Sequence, residues 1–143
     1  MPLSGGLTLW GDQSIVPAAA RTTTTTGDAV NITGYEQVWI VVTSGTITDG
    51  THTFSLTECA TSGGSYTAVA AANIIPAATG SSANGCVLDT TAAHDSAVQI
   101  FGYTGTQPYI KVVCTVTGSP STGGVYCATV LCGKARHQPV ATP

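Results

Sequence analysis

Apolar residues in this chain alternate with polar ones over short runs, and Gly, Pro, Asp or Ser breaks the runs about every 8 to 15 positions. No segment sustains the three-to-four-residue spacing of an amphipathic helix, and Thr, Val, Ile and Tyr, which suit a pleated surface, dominate the runs. The pattern predicts an all-β fold, an antiparallel β-sandwich or β-barrel. Strands are expected over residues 29–33, with Val30 and Ile32 on one face, over 86–88 and over 97–103. Residues 37–43 (QVWIVVT) are apolar on both faces, which predicts a central strand covered on both sides.

Two chain reversals read as hairpins. Asp49-Gly50 offers the left-handed dihedrals of a tight turn between residues 37–43 and a strand over 51–58, in which Phe54 and Leu56 share a face. His52, just after that turn, is expected to face solvent. The turn Gly118-Ser119-Pro120-Ser121 would join a strand over 109–117, with Ile110, Val112, Cys114 and Val116 on one face, to another over 124–132. Centred between Pro120 and Ser121, this second hairpin sets Cys114 opposite Cys127, although a one-residue slip breaks that register.

The ends differ from the middle. Residues 1–28 hold two prolines, a three-Ala run and the tract Thr22 to Thr26, with few large side chains, and are expected to form an extended arm. Leu7, Leu9 and Trp10 are its candidate partner-binding anchors. Residues 29–133 would be the β domain, and 134–143 a Pro-containing tail whose Lys134 and Arg136 are candidates for contact with acidic groups on a partner. On this reading, loss of the arm or the tail leaves folding intact and weakens partner binding.

Charge is scarce. Of 143 residues only 8% are charged, against about 25% in an average soluble protein, so the surface must be built from Thr, Ser, Gly and Asn. Four Lys and Arg against seven Asp and Glu give no basic face for nucleic acid, and no apolar run reaches the roughly 18 residues of a membrane helix. A nearly neutral surface repels its neighbours weakly, which predicts a chain that works packed against other molecules. The segment MPLSGGLTLWGDQ has no basic and apolar export signal, so assembly in the cytoplasm is expected.

Catalytic constellations are not evident. His94-Asp95-Ser96 holds the three residue types of a hydrolase triad, but neighbours in sequence project apart and read as a polar turn. The three histidines are dispersed, the five cysteines are an odd number at irregular spacings, and no phosphate-binding loop occurs, so no enzyme activity, metal or cofactor is expected. Exposed aromatics such as Trp10, Tyr35 or Tyr66 leave open a carbohydrate-binding module, whereas Trp39 and Tyr126 read as packing residues.

The runs TITDGTHTFSLTECATSGGSYTAVAAANI (46–74) and QPYIKVVCTVTGSPSTGGVYCATVLCGKARHQPV (107–140) resemble small virion proteins of tailed bacteriophages. The likeness rests on Asp49, Gly50, Thr51, Phe54 and Leu56, then on Tyr109, Ile110, Val112, Val113, Gly124, Tyr126, Gly133, Arg136, His137 and Pro139. It implies a capsid decoration (cement) protein, located on the virion, that binds the phage major capsid protein and itself as a dimer or trimer at a lattice axis. A neck, head-to-tail completion or tail protein is the alternative within virions. The chain departs from the family pattern at Cys59, Cys114, Cys127 and Cys132, which leaves a Cys114–Cys127 cross-link open.

Overall fold

The computed structural model describes residues 9–76, 81–82 and 85–135. In chain order the strands are β1 (Trp10–Ile15), β2 (Thr25–Thr26), β3 (Val30–Asn31), β4 (Tyr35–Ile47), β5 (Thr51–Cys59), β6 (Thr67–Ala68), β7 (Ile74–Ile75), β8 (Ser81–Ser82), β9 (Gly85–Leu88), β10 (Val98–Tyr103), β11 (Tyr109–Thr117) and β12 (Gly124–Ala135). Two antiparallel sheets stack as a sandwich. The first runs β1-β12-β4-β10-β7, and the second runs β2-β11-β5-β9-β8 with β3 on β11 and β6 on β5. The all-β expectation holds.

Alternation builds the core. Val38, Ile40 and Val42 of β4 and Ala128, Val130 and Cys132 of β12 point inward from the first sheet. Phe54 and Leu56 of β5 and Ile110, Val112 and Cys114 of β11 meet them from the second. Phe54 packs edge-on against Tyr126 of β12 across the gap, with ring centroids 5.0 Å apart, so aromatic contact joins the two layers.

Both expected hairpins are instead crossings between the sheets. β4 pairs with β12 and β10, whereas β5, straight after the Asp49-Gly50 turn, pairs with β11 and β9. Likewise β11 and β12 lie in different sheets, so Cys114 stands beside Phe54 and Cys127 beside Thr43. Cys114 and Cys127 do not face each other, and both are free thiols. Turn chemistry reverses the chain, but pairing partners are chosen by which apolar face each strand buries.

The expected N-terminal arm enters the domain from Trp10. β1 is an edge strand on β12, with Ile15 1% exposed between the sheets. A bulge after Gln13 turns Ser14 inward, where its hydroxyl accepts from the Val112 amide at 3.0 Å and donates to the Asp28 carbonyl at 2.8 Å. Ser14 thus links the first sheet to the second. A side chain at Gly27 would fall 2.4 Å from the Ser14 hydroxyl, so only glycine allows this approach. The Thr tract follows the same logic, because Thr25 and Thr26 pair by their backbones with Cys114 and Val113 and need no bulky side chains. At the other end β12 runs through Lys134 and Ala135, past the expected boundary at 133, and residues 136–143 lie outside the described residues.

Candidate functional site

β4 is central but covered on one side only. Its inward residues are buried, whereas Trp39 remains 38% exposed on the outer face of the first sheet. Strand register sets that face in rows: Gly11, Leu131, Trp39, Gly102 and Ile75 lie side by side, then Gln13, Thr129, Val41 and Ile100, then Cys127, Thr43 and Val98. None of these positions is charged. Val98 is 59% exposed, Ile100 50% and Ile75 45%. The Trp39 indole lies across Gly102, where a Cβ would meet the ring at 2.9 Å, so the glycine makes room for the ring beside Ile75.

The outer face of the second sheet is of the opposite kind. There Thr57, Ser55 and Thr53 of β5 stand beside Lys111, Val113 and Thr115 of β11. Hydroxyls and a cation suit water, so the polar reading of the surface applies to this sheet and the apolar face belongs to the other. Apolar residues on both faces of residues 37–43 therefore mark two uses: one face makes the core, and the other is left for contact.

One end of the sandwich is fastened by Asp49. Its carboxylate accepts from the amides of Ser121, at 2.8 Å, Thr122 and Gly123 and from the Ser121 hydroxyl, tying the β4–β5 crossing to the β11–β12 crossing. These donors, the Gly123 amide foremost, hold the carboxyl down to about 2. The latch is whole above the ordinary value of 3.8 and is lost as pH falls through about 2. Asp49→Ala is expected to lower the melting temperature at neutral pH, with the gap to wild type closing by about pH 2, measured by circular dichroism across pH.

His52 lies beneath this latch and is fully buried, not solvent-facing. It shares the inward parity of Phe54 and Leu56, sits edge-on to Tyr126 at 5.2 Å, and its Nε2 is 3.3 Å from the Asp49 carbonyl. Burial lowers its pKa, so the neutral ring is the folded form.

The other residues singled out by sequence are dispersed. Trp10 is half-buried and stacks on the buried Tyr35 at 6.0 Å, docking on its own domain, whereas Leu9 is exposed. Lys134 pairs with Glu36 at 2.7 Å. Leu7, Arg136 and His137 lie outside the described residues. His94 Nδ1 stands 2.7 Å from Asp89, Asp95 accepts from the Ile47 amide, and Ser96 bonds through its backbone to Gly45, so these three neighbours engage different partners. Tyr66 carries Lys111 over its ring at 4.3 Å, which occupies one face.

Among the described residues no group of three His, Cys, Asp or Glu is placed to hold a metal. A cleft of about 340 Å³ lies between the β3–β4 turn and the β10–β11 loop. In its lining Tyr103 donates to Glu58 at 2.5 Å and accepts from the Gln107 amide, which commits that hydroxyl within the fold. Burial raises the thiols of Cys86 and Cys132 to about 12 and of Cys114 to about 11. A thiol reagent at neutral pH is expected to modify Cys59 and Cys127 of the dilute chain, both half-buried, and to reach the other three only after denaturation, with peptide mass spectrometry as the readout.

No family model matches the chain, and comparison with curated proteins and with solved structures finds no match.

Proposed function

We propose that this chain is a structural protein of a bacteriophage particle, a capsid decoration protein that covers junctions between major capsid protein subunits. The observation that carries the reading is the uncharged, apolar outer face of the first sheet, set on a sandwich whose opposite face is polar. A patch of this kind marks a contact within an assembly, with a shell subunit or with a second copy of the chain, because leaving it wet forgoes the free energy of burying it. The phage assignment comes from the resemblance of residues 46–74 and 107–140. Half of the described residues that carry it, Phe54, Leu56, Ile110, Val112, Gly124 and Tyr126, are buried, and none of the twelve stands in the outward rows of the first sheet, so the likeness concerns the framework and not the exposed face.

Titrating the purified chain onto shells that lack it tests the reading. Uptake should saturate at many copies per shell and raise the temperature at which the shell opens. Saturation at about a dozen copies would instead support the neck reading, since closed rings have few positions. Saturable binding of a sugar with no uptake by shells would overturn both.

A further inference from the structure

We infer that the outer face of the first sheet is covered by a second copy of this chain, in a two-fold, sheet-on-sheet dimer. The inference rests on reading that face as a contact surface. It adds who the partner is.

Three observations favour a copy over a foreign protein. First, the outward rows hold no charge, so rotating the face onto itself sets no like charges together, and a chain with 8% charged residues has little self-repulsion to overcome. Second, contact of one surface with itself generates a closed two-fold pair, whereas a three-fold ring needs two different complementary surfaces. Among the described residues, four of the seven exposed large apolar side chains, Trp39, Ile75, Val98 and Ile100, gather in the rows of this one face, with Leu9, Val16 and Val125 outside them, while the second sheet presents Thr53, Ser55 and Lys111. Third, two copies of one sheet carry the same twist, and sheets of like twist pack at about 30° with interdigitating side chains.

Area sets the strength. The three rows span five, four and three strands, and positions about 4.8 Å by 6.8 Å cover roughly 400 Å² per copy, or about 800 Å² for a pair. That lies under the roughly 1,000 Å² of a stable specific interface, so the dimer is weak and concentration-dependent. On a particle, two sandwiches joined this way would present their outer ends to two neighbouring positions at once, and linkage strengthens both contacts.

Sedimentation equilibrium of the full chain over a range of concentrations tests this, together with Ile100→Lys, Ile100→Glu and Thr115→Lys as a control on the second sheet. Wild type and Thr115→Lys should rise toward twice the chain mass with concentration. Each Ile100 variant should keep the circular dichroism of wild type and stay at one chain mass, and an equal mixture of the two should recover the dimer by pairing opposite charges. Wild type at one chain mass throughout would overturn the inference, as would a dimer that ignores the Ile100 substitutions or is lost equally in Thr115→Lys. A chain that stays single yet saturates shells would sink this inference and spare the decoration reading. A dimer that shells do not take up would do the reverse.

Discussion

Deleting residues 1–28 is expected to abolish cooperative folding, the opposite of what an arm would give. The deletion removes β1 and β2 and with them Ile15, which is 1% exposed, and Ser14, whose hydroxyl joins the Val112 amide to the Asp28 carbonyl. Loss of the Ile15 side chain alone costs about 3 kcal/mol. The outer edges of β11 and β12 then exchange their ladder bonds for bonds to water, each worth about 0.5 to 1.5 kcal/mol net. Against a total stability of about 5 to 15 kcal/mol for a domain, these losses leave little folded protein. Dispersion of amide signals in a proton–nitrogen spectrum reports the outcome: collapse to the unfolded range is expected, and a well-dispersed spectrum would show that the strands from β3 onward fold alone.

Phe54→Ala is expected to cost about 4 kcal/mol and to lower the melting temperature by roughly 15 °C. Phe54 is fully buried, flanked by Cys114 and Cys86 on neighbouring strands, and its ring meets Tyr126 across the interlayer gap. Tyr126 in turn carries the edge of His52, so truncation opens a cavity beside a buried imidazole. Water entering there would ease protonation of His52. Wild type, whose buried ring takes up its proton only on unfolding, loses stability as pH falls below the ordinary histidine value of 6.5, and the variant should lose less over the same range. Chemical denaturation at two pH values measures both effects.

Individual strands were readable from the residues. Tyr109–Thr117 and the run from Thr51 show the period of two, and their turn residues stand where the chain reverses. The pairing was not readable. Asp49-Gly50 has the composition of a hairpin turn, yet its carboxylate spends its lone pairs on amides some 72 to 74 positions away, and the strands on either side enter different sheets. Local chemistry says that the chain turns, whereas the partner of each strand depends on long-range burial.

β1 and the Thr tract were missed for a related reason. They contribute backbone edges and one buried Ile, and a search for large side chains passes over such segments. For His52 a signal was present, since it shares the parity of Phe54 and Leu56 and so should have been placed inside. The contact face was legible only in part. Apolar residues at both parities of β4 were visible, but Ile75, Ile100 and Leu131 join Trp39 through pairings that only the fold supplies.

The central claim is that this face works by being covered. Hydroxyl-radical footprinting of Trp39, on the dilute chain and on the chain bound to particles, tests it most directly, with Tyr66 outside that face as the internal reference. The account predicts that Trp39 oxidation falls several-fold on the particle while Tyr66 changes little. Equal oxidation of Trp39 in the two states would contradict it.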